Sequence, residues 1–464
     1  MAGAAGQEQW SSKYGFLMAA IGSAVGLGNI WRFPYLTGTN GGGAFVLIYI
    51  ACAVVIALPI LVAELQLGRH GHKDPVTGIA MVAREAGVSE RWKYAGALGA
   101  LTGFIIVTFY SVVAGWALDF VYTTATGGLK GLSAGEASSI FGNLLTNPGR
   151  MAIWHTVFMG LTMVVVARGI QDGIEKAVKI LMPALFVMLI VMVGYGFVMG
   201  DFAAGFNFLF APDFSKINAG VVMAAIGQAF FSVGIAMGIM ITYGSFLPSN
   251  VSIPKAAMII VAADTGIALV AGLMIFPIVF ANGLEPSSGA GLTFQTLPIV
   301  FAQMPFGTVM GTVFFMLLVF AALTSSISMI QPAVSWIQTK LNISTVKAAL
   351  VVGLTGWVIG FGSVLGLNRW SDIHIFGWLK ESSSAWLSGY ADKNIMDTFD
   401  SLSADLMMPV GGMLVAIFVG WRVSEAISRG EFADVGEGWY RLWRFLIRYL
   451  APIGVLAVLI TNLF

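Results

Sequence analysis

Eleven segments of this chain are apolar over a length that can cross a lipid bilayer, for which a helix needs about 20 residues. They lie near residues 14–37, 44–67, 95–123, 151–168, 175–199, 218–246, 256–282, 308–338, 347–366, 405–421 and 444–463. Inside a bilayer every backbone N–H and C=O must be paired within the protein, which a helix achieves within its own segment. The pattern therefore predicts an all-α polytopic membrane protein of about 11 transmembrane helices. A further apolar stretch, residues 292–304, is too short to span and predicts a re-entrant or surface helix.

The composition excludes a water-soluble domain and most enzyme chemistry. Apolar residues make up 58% of the 464 residues and charged residues 10%, whereas soluble proteins carry about a quarter charged residues. The net charge of +1 suggests no nucleic-acid partner. One cysteine and four scattered histidines offer neither a disulfide nor a metal centre, and no nucleophile has an obvious base. We therefore expect that the protein is not an enzyme and that it binds no organic cofactor. The first segment is also too long for the core of a cleavable signal peptide.

The distribution of Lys and Arg predicts the orientation. If the N-terminus is cytoplasmic, 17 of these residues lie on the cytoplasmic side and 6 outside, with Arg32 inside a helix. Positive charge concentrates in cytoplasmic loops, so we expect a plasma-membrane protein, the inner membrane in a bacterium, with the N-terminus inside. An odd number of helices then places the C-terminus outside.

Glycine-rich breaks interrupt the first and sixth segments, at residues 22–29 and 232–238. Glycine weakens a helix by about 1 kcal/mol relative to alanine, and opened backbone inside a membrane must line a cavity. Close helix packing is the alternative explanation for either cluster. Their equivalent places in two five-helix halves favour a binding site between inverted repeats. We therefore divide the chain into an N-terminal segment 1–13, repeats 14–199 and 200–421, and a cytoplasmic loop with the last helix, 422–464.

Four motifs carry a resemblance to a known family. They are the run 22–34, Asn-Gly-Gly-Gly-Ala-Phe at 40–45, Gly-Gln-Ala-Phe-Phe-Ser at 227–232 and Leu-Thr-Ser-Ser-Ile at 323–327. Together they resemble the neurotransmitter:sodium symporter family, specifically its bacterial amino-acid branch, over residues 9 to about 421. The resemblance implies a five-plus-five inverted-repeat fold of the leucine-transporter type, with helices 1 and 6 unwound at the midplane. It also implies sodium-coupled symport of a small molecule by alternating access.

The resemblance implies two sodium sites. The first would use the carbonyl groups of Gly22, Val25 and Ala321 with the hydroxyl groups of Thr324 and Ser325. The second would use the Ala24 carbonyl, the Asn29 amide oxygen, Ser232 and Asp264. On a helix, Thr and Ser more often bond to their own backbone, and a salt bridge is the alternative for Asp264. A carboxyl group this deep in a spanning helix is nevertheless functional by default.

Asp264 also bears on chloride. Chloride-dependent members of the family surround the anion with a Tyr, a Gln and Ser residues, and Tyr49, Gln228 and Ser232 match part of that set. Ala268 occupies the remaining serine position. We therefore expect the Asp264 carboxylate to supply the negative charge that chloride provides elsewhere, which makes transport chloride-independent.

The implied substrate site is mostly apolar. Its residues are Ala24, Leu27, Gly28, Ile106, Tyr110, Phe231, Ser232, Gly234, Met237, Ser325 and Met329. Monoamine carriers of the family place an Asp where this chain has Gly26, which favours an amino acid over a bare amine. A neutral and hydrophobic amino acid is expected. Gly234 and Ala236 stand where Ser and Gly are common, so a small osmolyte or a GABA-like or taurine-like acid remains an alternative substrate.

The resemblance also implies gates and a helix that unwinds. Arg32 and Asp400 match the outer gate pair, and Trp10 and Gln331 belong to the inner gate, whose usual ion pair is replaced by Gln7 and Thr339. We expect packing and Gln331 hydrogen bonds to hold that gate. Gly173 and Pro183 match a motif for unwinding the fifth helix.

Partners outside the transport cycle are limited to the lipid bilayer, and a monomer or weak dimer is expected. An ion channel is the alternative interpretation, because paired broken helices also occur in channels. The asymmetric charges Arg32, Asp264 and Asp400 suit an occluded carrier better than a symmetric pore.

Overall fold

The computed structural model describes residues 9–286, 291–382 and 385–463, and every regular element in these ranges is helical. Each of the eleven predicted segments corresponds to a helix or to a broken pair. In chain order they are α1a (Lys13–Ala24) and α1b (Gly28–Thr39), α2 (Gly43–Gly71), α3 (Glu90–Ala125), α4 (Pro148–Val166), α5 (Ile170–Met199), α6a (Ala219–Val233) and α6b (Ile239–Ser245), α7 (Ile253–Ala281), α8 (Gly307–Leu341), α9 (Thr345–Gly366), α10 (Ile395–Arg422) and α11 (Glu437–Thr461). In the described part, nine helices are long and apolar enough to cross a membrane, and the bent pair α1a–α1b makes a tenth. The pair α6a–α6b, of 15 and 7 residues, forms the remaining predicted segment.

Short elements connect these helices. The α-helices are Pro75–Glu85, Ala134–Leu145, Phe202–Phe210, Leu297–Gln303, Ala385–Gly389 and Glu425–Gly430, and the 3₁₀ turns are Phe214–Lys216 and Gly377–Glu381. The apolar stretch predicted as a re-entrant or surface helix forms a short π-helix, Leu292–Thr296, that continues into the α-helix Leu297–Gln303. Phe294 and Phe301 are buried there, so this segment packs into the bundle.

Both predicted breaks are present. The helix axis bends by 46° between α1a and α1b. Between α6a and α6b, Gly234, Ala236 and Gly238 have positive φ angles of 72°, 64° and 70°. Glycine adopts this left-handed conformation freely, while a residue with a Cβ loses about 1–2 kcal/mol. Ala236 therefore carries local strain at the centre of the second break.

The broken helices lie inside a shell of continuous ones. In their most apolar stretches, α3 and α8 are 72% and 78% buried, against 28% for α5 and 33% for α11. α1a packs against α5, α7 and α8, while α6b packs against α2. A Cβ at Gly68 of α2 would lie 2.0 Å from the carbonyl oxygen of Ile241 in α6b. Glycine thus lets the two backbones touch and places the second break beside α2.

A buried ion pair joins α3 to α4. Asp119 is fully buried and accepts from Arg150 Nη2 at 2.9 Å and from Trp154 Nε1 at 2.6 Å. Removing the cation leaves a buried carboxylate without its counter-charge, which is more costly than losing a surface pair.

We expect Arg150→Ala to destabilise the protein by about 3 kcal/mol because Asp119 then lacks its cation. The check is the thermal unfolding midpoint of the purified protein in detergent. Lys380→Ala is the control, because Lys380 is largely exposed and pairs with the equally exposed Asp392 at 3.3 Å. An unchanged midpoint for Arg150→Ala would contradict the importance of this pair.

Candidate functional site

A buried carboxylate connects the two breaks. Asp264 of α7 is fully buried, and its Oδ1 accepts from Asn29 Nδ2 at 2.7 Å. Ser232 of α6a donates to the same carboxylate, at 2.8 Å to Oδ2, and Tyr49 of α2 donates to Oδ2 at 3.2 Å. All of these donors are neutral. Three of the four residues predicted for the second sodium site thus meet here, while the fourth, Ala24, is the last residue of α1a.

A second cluster lies where α8 crosses the break in α1. The Ser325 hydroxyl donates to the carbonyl oxygens of Ser23, at 3.2 Å, and Val25, at 3.3 Å. Thr324 donates to the Ala321 carbonyl of its own helix at 3.0 Å. A Cβ built on Gly22 would lie 3.4 Å from the Thr324 Cβ. The structure therefore gathers all five residues predicted for the first sodium site.

The start of α1b faces α3 and α6a. Leu27 N–H donates to the Tyr110 hydroxyl at 3.3 Å, and Gln228 donates to the Gly28 carbonyl at 2.8 Å. A Cβ at Gly28 would come within 3.1 Å of the Phe231 ring. The first turn of α1b thus lies against two aromatic residues. Helix N-termini attract anions, since their N–H groups are free and the helix dipole is positive there.

The predicted apolar residues lie on α3, on α8 and in the break of α6. Ile106, Met237 and Met329 are all buried. A Cβ at Gly103 of α3 would lie 2.6 Å from the Met329 carbonyl oxygen and 3.4 Å from that of Met237. Because Gly103 has no side chain, α3 can approach the backbones of α6 and α8. This role of Gly103 was not predicted from the sequence. Glycine spaced four apart on one helix, Gly99 and Gly103, is the small-residue pattern that could have indicated it.

A cavity of about 250 Å³ opens beside this site. It is lined by Arg32 and Asp400, the predicted outer gate, and by Phe231 and Tyr110. The Arg32 guanidinium lies over the Phe231 ring, 4.6 Å from its centroid. Arg32 and Asp400 thus border one cavity, although they form no ion pair within 4.0 Å among the described residues.

Trp10 closes the opposite side. It is 3% exposed, its indole N–H donates to the Tyr243 carbonyl at 3.0 Å, and its backbone N–H donates to the Phe246 carbonyl at 3.2 Å. Gln331 donates to Ser335 of its own helix at 3.2 Å. The hydrogen bonds expected from Gln331 across this gate are therefore replaced by those of Trp10. Gln7 lies outside the described residues.

Two acidic residues have structural roles that were not predicted from the sequence. Glu64 of α2 is fully buried and accepts from the Ala236 N–H at 2.9 Å, which satisfies the strained centre of the second break. Glu175 of α5 accepts from the Ser11 N–H at 3.0 Å and pairs with Lys179 at 2.7 Å. It therefore anchors the segment that carries Trp10. No sequence motif pointed to these roles, because the Ser11 and Ala236 N–H groups are backbone groups far away in the chain.

α5 is continuous through the predicted unwinding motif. It begins with a short π-helix, Ile170–Glu175, that contains Gly173, and Pro183 lies inside the following α-helix. A Cβ at Gly173 would lie 2.1 Å from the Val165 carbonyl oxygen, so Gly173 also allows α4 and α5 to approach. In this conformation the helix is wound.

Comparison with known proteins identifies the family. Residues 7–136 and 134–464 match the model of the sodium:neurotransmitter symporter family. The chain belongs to this family. It is 36% identical to the uncharacterized sodium-dependent transporter YhdH of Bacillus subtilis, over 97% of this chain and 96% of that protein. An uncharacterized sodium-dependent transporter of Haemophilus influenzae is 32% identical, over 99% of this chain and 98% of that protein.

A solved structure supports the same fold. The crystal structure of MhsT in complex with L-phenylalanine has a TM-score of 0.87 and 39% identity, and covers 99% of this chain and 100% of that one. The fold class predicted from sequence is thereby confirmed. This symporter family consists of secondary transporters, so the chain is a multi-pass, sodium-dependent transporter and not an enzyme, and the ion-channel alternative is wrong.

We expect Gly26→Ala to lower uptake by this symporter about tenfold or more. The new Cβ would lie 2.4 Å from Ser325 Oγ and 3.0 Å from the Tyr110 hydroxyl, and overpacking of this kind costs about 1–3 kcal/mol. The measurement is radiolabelled amino-acid uptake at matched protein levels. Gly194→Ala in α5 is the control, because a Cβ there meets nothing within 4 Å. Wild-type uptake by Gly26→Ala would place the substrate elsewhere.

Proposed function

We propose that this transporter couples the inward movement of sodium to uptake of a neutral, hydrophobic amino acid by alternating access and without chloride. The observation that carries the proposal is the Asp264 carboxylate, fully buried and bound by neutral donors beside the opened backbone of α1. A negative charge held this way calls for a cation, because burying an unpaired charge is costly.

Two sodium ions fit the oxygen groups that the breaks expose. Hard cations prefer carboxylate, carbonyl and hydroxyl oxygen. At the first site Ser325 already points its hydroxyl at the Val25 carbonyl, and rotation of the hydroxyl hydrogen would free both oxygens for one ion. At the second, the Asn29 amide oxygen accepts from the Gly26 N–H at 3.1 Å. A turn of the amide would break this bond and bring the oxygen beside Asp264, where it can bind sodium.

The substrate carboxylate would bind at the start of α1b. Leu27 and Gly28 supply N–H groups, the Tyr110 hydroxyl lies 3.3 Å from Leu27 N, and the second sodium ion would balance the charge. The side chain would enter the apolar region formed by Ile106, Met237 and Met329. Methionine side chains adapt their shape to different apolar groups. MhsT, whose crystal structure contains L-phenylalanine, supports a large apolar substrate.

Alternating access would use the two sides unequally. Arg32 and Asp400 would close over the 250 Å³ cavity once the substrate is bound. On the other side, opening requires Trp10 to leave the carbonyl groups of α6b and Phe246. We place that side in the cytoplasm, and we take residues 14–199 and 200–421 as the two repeats that move against each other.

α5 would link inner opening to the first sodium site. Pro183 cannot donate a backbone hydrogen bond, which weakens the helix locally. The preceding Met182 packs on Gly22, where a Cβ would lie 3.0 Å from the Met182 sulfur. Unwinding between Gly173 and Pro183 would withdraw Met182 and admit water to a predicted sodium ligand. The same movement would displace Glu175 and release Ser11.

Reconstitution tests the coupling. In proteoliposomes with an inward sodium gradient, we expect ²²Na⁺ uptake to rise when a hydrophobic amino acid is added and to stay at background without it. Competition by a panel of amino acids, taurine and GABA against a bound radiolabelled substrate ranks the substrates. Sodium flux that is independent of every compound tested would exclude the symport mechanism.

Chloride replacement tests the role of Asp264. We expect wild-type uptake to be unchanged when gluconate replaces chloride. Asp264→Asn should reduce uptake in gluconate about tenfold or more, since sodium loses a charged ligand, and chloride should restore part of it. Asp172→Asn is the control, because Asp172 is 75% exposed and pairs with Lys176. Strong chloride dependence of the wild type, or full activity of Asp264→Asn without chloride, would refute this role.

A further inference from the structure

A second polar cavity, of about 350 Å³, lies where the end of α10 and the helix Glu425–Gly430 meet the start of α11. None of the residues predicted for transport lines it. Four arginines line it, Arg429, Arg441, Arg444 and Arg448, together with two glutamates, Glu425 and Glu437. The cavity therefore has two more cationic than anionic side chains.

The glutamates do not neutralise these arginines fully. Arg429 shares Glu425 at 3.2 Å and Glu437 at 3.5 Å, while Arg441 also contacts Glu437 at 3.3 Å. Arg448 reaches Glu425 only at 3.7 Å. Each carboxylate thus serves two arginines, and an additional anion is needed to balance the cluster.

Arg444 shows where that anion would bind. Its side chain caps α10 by donating to the carbonyl groups of Val419, at 2.8 Å, and Val423, at 3.4 Å. Arg444 is only 6% exposed, yet its Nε has no hydrogen-bond partner among the described residues. The buried Tyr440 hydroxyl is likewise without a partner in this part of the chain. Buried donors are normally paired. Both residues line the cavity, although the two unpaired atoms are enclosed by protein, so an acceptor in the cavity would pair with them once the two side chains turn toward it.

The rim of the cavity indicates what kind of molecule carries the acceptor. Phe445 and Tyr449 belong to the lining and are 50% and 44% exposed. Trp421 stands beside Tyr449, with ring centroids 5.6 Å apart. Aromatic residues concentrate at the membrane–water interface. One and two turns beyond Tyr449, the apolar residues Ile453 and Leu456 are exposed on α11 and face where lipid chains would lie.

We propose that this cavity binds the phosphate group of an anionic phospholipid, whose acyl chains run along the exposed face of α11. Basic pockets between transmembrane helices on the cytoplasmic side bind such headgroups. Arginine suits the phosphate because its planar guanidinium donates two parallel hydrogen bonds. A free phosphate ion would satisfy the same donors but would leave the aromatic rim and the apolar face without a role.

Native mass spectrometry of the full-length protein in detergent tests the proposal. Phosphatidylglycerol, phosphatidylcholine and inorganic phosphate are titrated separately, and the bound fraction is counted. We expect one phosphatidylglycerol to bind about tenfold more tightly than phosphatidylcholine. Both lipids carry a phosphate, but the choline cation makes phosphatidylcholine neutral overall and is repelled by the arginines, whereas phosphatidylglycerol keeps its net negative charge. Inorganic phosphate should bind more weakly than phosphatidylglycerol.

Two variants and a control locate the site. Arg441→Gln removes an exposed cation, and Tyr440→Phe removes only the unpartnered hydroxyl, so both should fold. Each should weaken phosphatidylglycerol binding about fivefold or more. Arg84→Gln is the matched control, because Arg84 is an exposed arginine that pairs with one glutamate, Glu90, at 3.0 Å. Unchanged binding by Arg441→Gln and Tyr440→Phe, or equal binding of the two lipids, would overturn the proposal, as would inorganic phosphate binding as tightly as phosphatidylglycerol.

Discussion

A backbone that leaves its helix inside a membrane must find its hydrogen bonds elsewhere in the protein, and the centre of this transporter depends on that requirement. Tyr110 of α3 accepts the Leu27 N–H, Gln228 of α6a donates to the Gly28 carbonyl, and Glu64 of α2 accepts the Ala236 N–H. Each of these three groups is thus held by a side chain from another helix. The other opened backbone oxygen atoms and the buried Asp264 are the groups that the proposed sodium ions would bind.

Small residues determine how closely these helices approach. Gly68 lets α6b contact α2, Gly103 lets α3 reach the backbone of Met237 and Met329, and Gly26 leaves room between Ser325 and Tyr110. Interiors are packed too densely to absorb extra carbon atoms without movement. Gly26 belongs to the first glycine cluster, so for that cluster the two explanations considered, close packing and site formation, are complementary.

The two ends of the broken helices are held by different interactions. Arg32 and Asp400 border a cavity and form no ion pair with each other in the part of the chain that the structure describes. At the other end, the buried Trp10 is bound to two carbonyl groups, and Glu175 anchors the segment that carries it. By the family resemblance, Thr339 stands in place of the acid of the inner ion pair, and we propose that backbone hydrogen bonds and packing hold that gate instead.

The sequence by itself determined the helical, multi-pass fold and the positions of both breaks, because lipid permits few structures and glycine clusters mark where helices open. The family resemblance pointed to Asn29, Ser232 and Asp264, and Asp264 also stands out by itself because ionisable residues are rare in spanning segments. Only the tertiary structure decided that Glu64 supports Ala236, that Glu175 holds Ser11, and that Trp10 bonds to the α6b backbone while Gln331 bonds within its own helix. These partners of Glu64, Glu175 and Trp10 lie more than 160 residues away in the chain, and the bonds go to backbone groups that every residue possesses. No local pattern can mark such contacts, because they arise only from the packing of whole helices.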